Sequence, residues 1–263
     1  MNRRTMEALN RLNRVFYEEH AEPFSATRRR PWPGWDRVVE RLELRLQDAG
    51  RQTASILDLG CGNGRFGALL AERLDLPSDY CGVDASRKLL SEARSRSRRG
   101  REWRGRYLLA DLVIDGLDSL SLDAPFDLIA LFGLLHHLPS FERRRSLLSE
   151  AAGLLRAGGL LAVSFWQFGA SERFLKRVIP WAEHNRQSAE KIALRELETG
   201  DLLLAWGEAA SKPGGAAKRY CHFADPREAE TLVGSVGLPV LESFSSDGEG
   251  GALNLYYLLE CPG

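Results

Sequence analysis

Apolar residues recur along the chain with two different periods, and the change of period divides it. From about Thr5 to His20, Leu9, Leu12, Val15 and Phe16 share one helical face. Two prolines and three consecutive arginines between Ser25 and Pro33 break that pattern. Val38, Val39, Leu42 and Leu46 resume it from Trp35 to Gln47, and Gly50 ends it. Beyond this point short, nearly continuous apolar runs alternate with helical segments. Strands are expected over 54–59, 80–83, 106–110, 126–132 and 160–165, and helices over 66–74, 86–96 and 141–155. Such runs, separated by helices, predict a parallel sheet covered on both faces. After a helix over 226–235, Val240–Phe244 and Leu253–Leu259 are two closing strands, and their short link makes them an antiparallel hairpin. The expectation is an α/β fold around a mostly parallel seven-stranded sheet. Residues 167–218 interrupt the rhythm with helical pieces and a loop at Ser211–Gly215. They read as an insertion over the sheet, with residues 1–263 forming a single domain.

Composition narrows the class. The 263 residues are 44% hydrophobic and 27% charged, as in a globular protein that needs no disulfide or metal staple. No apolar run approaches the roughly 20 residues of a membrane helix, and the N-terminus has no apolar leader core. No membrane association and a cytoplasmic location are therefore expected. Cys61, Cys81, Cys221 and Cys261 form no C-x-x-C pair, so reduced thiols and no metal are expected. The formal net charge is zero, but arginine is clustered at Arg28–Arg30 and again from Arg94 to Arg106. The second run either tracks a polyanion or is a solvated helix end.

The candidate chemistry begins at Asp58-Leu59-Gly60-Cys61-Gly62-Asn63-Gly64, which follows a strand and opens a helix. Gly60, Gly62 and Gly64 permit a tight turn and a close backbone approach to a ligand, and the helix start offers free N–H groups. Asp84 ends the second strand, where an acid binds ribose hydroxyls, and Asp111 ends the third, within reach of an adenine amine. A dinucleotide fits poorly, because the third glycine comes too early for G-x-G-x-x-G. The Asp58 charge instead suits a ligand carrying ammonium and sulfonium groups. With Asp84-Ala85 and Ala110-Asp111-Leu112, this run resembles the class I S-adenosylmethionine (SAM)-dependent methyltransferases. That resemblance implies a Rossmann-like fold, SAM as cofactor and a SAM-binding half over 51–166, between an N-terminal cap (1–50), the insertion and a C-terminal part (219–263). The fourth strand runs into Phe132-Gly133-Leu134-Leu135-His136-His137, where this fold faces the methyl group. Phe132 and His137 are expected against the cofactor and His136 beside the reacting atoms, although one histidine of the pair can simply pack.

Phe24-Ser25-Ala26-Thr27-Arg28-Arg29-Arg30-Pro31-Trp32-Pro33 is similar to the entry segment of the tRNA wobble-uridine methyltransferases that esterify 5-carboxymethyluridine, S-x-T-R-Y-K-P-W-P. Leu135-His136-His137 with Glu142-Arg143-Arg144, and Gly200-Asp201 with Arg219-Tyr220-Cys221-His222, extend the likeness. Arg29 stands in place of the family's tyrosine, Cys221 in place of an aromatic, and no proline precedes Gly158-Gly159. The resemblance implies a tRNA substrate, a possible small activator subunit, and contacts to substrate from Arg28, Arg29, Arg30, Trp32, Arg219 and Tyr220. A carboxylate acceptor with a pKa near ~4 is already an ionised nucleophile at neutral pH. Arg28 is the expected clamp on it. A metabolite methyltransferase is the alternative: a hydroxyl or amine acceptor would need a base such as His136 or His137.

Overall fold

A computed structural model describes residues 1–96, 102–207 and 217–263. Helix α1 (Arg3–Ala26) is capped by Asn2, whose side chain accepts the Thr5 N–H. Pro23 lies inside it and cannot bond the preceding turn, and the helix is kinked at His20 (φ −119°, ψ 17°). The helix ends at Thr27, inside the break expected between Ser25 and Pro33. Helix α2 (Gly34–Asp48) buries Trp35, Val38, Val39, Leu42 and Leu46.

The alternating part gives β1 (Ala54–Leu59), α3 (Arg65–Arg73), β2 (Ser78–Asp84), α4 (Arg87–Arg96), β3 (Trp103–Leu109), β4 (Phe126–Leu131), α5 (Phe141–Ala152) and β5 (Leu155–Trp166). Here the largest departures from the expected boundaries are at α5, β5 and β3. Gly153 caps α5, so β5 starts where helix was expected; β3 starts three residues earlier. Helix α8 (Pro226–Gly234) starts at Asp225, whose carboxylate accepts the Glu228 N–H. Strands β9 (Val240–Ser246) and β10 (Asn254–Glu260) close the sheet in the order β3-β2-β1-β4-β5-β10-β9. β1 to β5 pair parallel, and β10 runs antiparallel to both neighbours.

Side-chain alternation along the strands builds two cores. Ile56, Leu128, Ala130, Leu160 and Leu258 pack on α2 and α3. Leu57, Ile129, Leu161, Val163 and Leu259 pack on α5 and α8.

The insertion holds the expected helical pieces, α6 (Glu172–Leu175) and α7 (Trp181–Gln187). It also holds most of an unexpected antiparallel sheet of β6 (Val178–Ile179), β7 (Asp201–Trp206) and β8 (Ala217–His222), whose last strand runs past the expected boundary at 218. The apolar run Leu202–Trp206 between Gly200 and Gly207 carries a strand signal that helical spacing obscured. The Ser211–Gly215 loop lies outside the described residues. Buried charges tie this small sheet to the body. Arg144, 1% exposed, bridges Glu198 and Glu228 at 2.8 Å each, while His222 bonds Asp201 at 2.8 Å and Glu228 at 2.9 Å. Among the described residues no helix is long and apolar enough to cross a membrane, and all four cysteines are free.

Candidate functional site

The carboxyl ends of β1 to β4 open into one cavity of about 1690 Å³, roofed by α1 and flanked by the insertion. Ordinary small-molecule pockets hold roughly 300–1,000 Å³. Asp58, Asp84 and Asp111 all line it. Asp84 accepts the Gly62 N–H at 2.9 Å and the Ser86 N–H at 2.8 Å, so its carboxylate is fixed by the glycine turn. Asp58, 2% exposed, accepts the Tyr80 hydroxyl at 2.6 Å. Burial pushes its carboxyl up to about 7, the Tyr80 bond opposing and Asp84 adding. Asp111 accepts the Asn10 side-chain amide at 2.7 Å, and Arg14 stands 3.8 Å away.

Another part of the lining is basic. Arg28, Arg65, Arg173, Arg177 and Arg219 line the part formed by the end of α1, the start of α3 and the insertion. Among the described residues none of the five is ion-paired to a carboxylate. Arg28 lies 3.5 Å over the Phe24 ring and donates to Thr27 Oγ1 at 2.9 Å. Burial, then Arg219, pushes its guanidinium down to about 9. Arg219 is 6% exposed, stacks near Phe16, Phe24 and Trp166, and donates to the Tyr17 hydroxyl at 3.2 Å. Two cations thus share the Phe24 ring without a counter-charge, an arrangement that an anion stabilises.

The histidines have distinct settings. His137 Nε2 lies 2.7 Å from the Tyr17 hydroxyl and Nδ1 3.2 Å from the Tyr220 carbonyl. The ring accepts from Tyr17 and donates to the carbonyl, and burial, then Arg219, pushes it down to about 3. It is a fixed neutral strut. His136 packs 5.1 Å from Trp166, its Nδ1 is buried without a partner, and burial with His137 and Arg219 beside it holds it well below the ordinary histidine range. His136, His137 and Cys221 bring ligand atoms within 4.8 Å of one another, as do Glu198, Asp201 and His222. The first group already bonds Tyr17 and Tyr220 through His137, and the second is engaged by Arg144 through Glu198.

Thirteen of the expected residues meet in the cavity: Arg28, Trp32, Asp58, Gly60, Gly62, Asp84, Ala85, Asp111, Leu112, Phe132, His136, His137 and Arg219. Four do not. Gly64 (φ +76°) donates its N–H to the Cys61 carbonyl, and a Cβ there would lie 2.9 Å from Ala93; it lets α3 approach α4. Arg29 and Arg30 point to solvent, and only the Arg30 carbonyl is held, by Arg65 at 2.7 Å. Tyr220 alternates away from Arg219 on β8, fully buried against Leu9 and Ile192, and bonds Asp201 at 2.7 Å. In the second arginine run, Arg104 pairs with Asp79 and Arg106 with Asp123; Arg98, Arg99 and Arg101 lie outside the described residues.

Residues 57–161 match a family model described as a methyltransferase domain. A putative methyltransferase of Encephalitozoon cuniculi is 31% identical over 228 residues, 86% of this chain and 87% of that protein. The chain belongs to the class I SAM-dependent methyltransferases. The tRNA (carboxymethyluridine(34)-5-O)-methyltransferase of Saccharomyces cerevisiae is 32% identical over 60% of this chain and 49% of its own length. The mouse probable tRNA methyltransferase 9B is 28% identical over 63% of this chain, and the alignment spans only 32% of that protein. An S-adenosylmethionine-dependent methyltransferase of Clostridium acetobutylicum shares the fold, with a TM-score of 0.60 at 15% identity over 95% of this chain and 98% of that one.

This methyltransferase's cavity fits the family's cofactor. The Gly62 Cα faces open space, so a ligand can approach the turn, and Asp84 is preset where a ribose diol binds. Asp58 and Asp84 form no ion pair among the described residues, which suits a sulfonium and an ammonium. Several residues facing the cavity escaped the sequence reading. Asn10, Asn13 and Tyr17 form a polar stripe at helical spacing on the inward face of α1, a signal the chain does carry. Asn63 holds Ser25 Oγ at 2.7 Å and the Arg28 carbonyl at 3.3 Å, tying the glycine turn to the arginine segment. Nothing local marks Arg173, Arg177 or Trp206; only the fold of the insertion brings them there.

Proposed function

We propose that the chain methylates the carboxylate of a carboxymethylated wobble uridine in tRNA. The observation that carries this reading is the pair Arg28 and Arg219, both packed over the Phe24 ring in the cavity that the acids line, and neither ion-paired to a carboxylate among the described residues. The name of the yeast relative supports the same acceptor. SAM supplies an electrophilic methyl carbon on a sulfonium. Asp58, Asp84, Ala85, Asp111, Leu112 and Phe132 hold that cofactor, with Gly60 and Gly62 allowing the approach. Arg28 and Arg219 grip the acceptor carboxylate through one oxygen and leave the other free to attack. Trp32, backed by Trp35 at 5.1 Å and by Gly133, offers an apolar wall for the base. The acceptor carboxylate is already ionised at neutral pH, so no proton need be removed and neither neutral histidine, His136 or His137, is needed as a base; catalysis reduces to alignment, worth roughly 7–11 kcal/mol.

The test is methyl incorporation from labelled SAM into bulk tRNA and into the free nucleoside. Arg28→Ala is expected to abolish transfer while leaving SAM affinity nearly intact in calorimetry. Parallel loss of both would remove Arg28 from the acceptor side. Transfer to a metabolite hydroxyl or amine, with a rate rising through pH ~6–7, would favour a small-molecule methyltransferase.

A further inference from the structure

The basic wall extends past the pair that grips the carboxylate. Arg173 lies on α6 and Arg177 directly precedes β6, so both belong to the insertion and not to the sheet that builds the cofactor side. Both line the cavity. Their neighbour Lys176 is neutralised by Glu172 at 3.4 Å, but among the described residues neither arginine is ion-paired. Arg173 is exposed and Arg177 half-buried. Between them Phe174 packs edge-on against Trp166 at 4.9 Å, and Arg219 stacks on that same Trp166 ring at 5.4 Å. A path therefore leads from Arg28 and Arg219, over Trp166 and Phe174, to two guanidinium groups without a carboxylate partner, that of Arg173 lying 5.3 Å over the Phe174 ring. The cavity also exceeds the roughly 1,000 Å³ upper end of ordinary pockets, which leaves space for an acceptor beside the cofactor. Alternating aromatic faces and unpaired arginines match the stacking surfaces and phosphates of an unpaired RNA strand.

We propose that Arg173 and Arg177 form a phosphate-binding shelf, gripping the RNA backbone next to the acceptor nucleotide while Phe174 faces its neighbouring base. This rests on the RNA reading above and adds to it the element that distinguishes a polynucleotide from a free nucleoside. The insertion then selects the polymer, and the arginine pair beneath selects the acceptor group.

The experiment measures methyl transfer to an anticodon stem-loop and to free 5-carboxymethyluridine across a series of salt concentrations, for the intact protein and the R173A/R177A variant. S-adenosylhomocysteine affinity and melting temperature serve as controls for folding. The variant is expected to raise KM for the stem-loop at least tenfold, with little change in its kcat and none in KM for the nucleoside. Loss of two phosphate contacts makes the slope of log KM against log salt shallower by about 1.4. R173K/R177K is expected to restore most of the affinity, since a lysine still meets a phosphate as a point charge. Equal KM and equal salt slopes for variant and intact protein on the stem-loop would overturn the shelf and leave the proposed reaction standing. Failure of the intact protein to methylate any RNA, with transfer to small carboxylates retained, would overturn both.

Discussion

The Tyr80 hydroxyl donates to the Asp58 carboxylate at 2.6 Å beside the glycine turn, and both residues are buried. The pair couples cofactor affinity to pH. Burial pushes the Asp58 carboxyl up to about 7, so below that value it carries a proton and loses its attraction for a sulfonium or ammonium. SAM affinity is expected to weaken as pH falls through about 7, by up to tenfold per unit. Tyr80→Phe removes the bond that favours the ionised form, so the midpoint moves higher and affinity at pH 7 drops several-fold. Calorimetric titrations between pH 5.5 and 8.5 read both; a midpoint shared by variant and parent would refute the coupling.

The glycine turn separates two kinds of cost. Gly64→Ala places a methyl group 2.9 Å from Ala93 at φ +76°, so α3 and α4 must part. A destabilisation of about 2–3 kcal/mol is expected, seen as a lower melting temperature without ligand. Gly62→Ala meets nothing within 4 Å, at φ +54°, and its methyl group projects into open space. That change is expected to cost only about 1 kcal/mol of stability but to lower SAM affinity more than tenfold. The reverse ranking in paired melting and binding measurements would contradict this division of labour.

This contrast also shows what the sequence can carry. Gly60, Gly62 and Gly64 look alike in the chain, and period and turn chemistry place all three between a strand and a helix. Only packing reveals that one abuts a neighbouring helix. The seven-stranded sheet was legible because β1, β4 and β5 are nearly uniform apolar runs bounded by turns. The small sheet was not. β8 reads Ala-Lys-Arg-Tyr-Cys-His, and its buried Arg219 and His222 are tolerable only because Tyr17, Asp201 and Glu228 come from distant segments. Arg28 and Arg219 are 191 positions apart, and motif likeness proposed both where no local periodicity could pair them. Tyr220 followed the same likeness and was misplaced, since adjacent strand residues face opposite ways.

The network around His222 makes the attachment of the small sheet sensitive to pH. Burial alone would lower the imidazolium, but bonds to Asp201 and Glu228 outweigh it and raise the pKa above the ordinary 6.5. The stabilisation is therefore complete below about 6.5 and is lost as pH rises through the raised folded value. Asp201 and Glu228 are lowered, so their contribution is present above about 4 and is lost as pH falls through their folded values. Urea midpoints are expected to be highest near pH 5–6.5 and to decline on the alkaline side. His222→Gln removes that decline and costs on the order of 3 kcal/mol at pH 6. A parent protein whose midpoint stays level from pH 6 to 9 would exclude an imidazolium here.

The settings of the two histidines predict the shape of the rate profile. Burial holds His136 well below the ordinary range and pushes His137 down to about 3, so neither titrates between pH 6 and 8. A carboxylate acceptor, with its pKa near ~4, stays ionised over the same interval. With both substrates saturating, kcat is expected to be level from pH 6 to 8, any slope in cofactor affinity through Asp58 having been removed by saturation. His136→Asn keeps the profile level and lowers kcat by less than tenfold, because the ring packs on Trp166 and shapes the wall without moving a proton. His137→Phe disturbs more, since it removes the acceptor for the Tyr17 hydroxyl that braces Arg219. KM for the acceptor is then expected to rise about tenfold with SAM affinity unchanged. A kcat that climbs tenfold per pH unit in the parent and is level in His136→Asn would establish His136 as a general base, and with it an acceptor that must lose a proton.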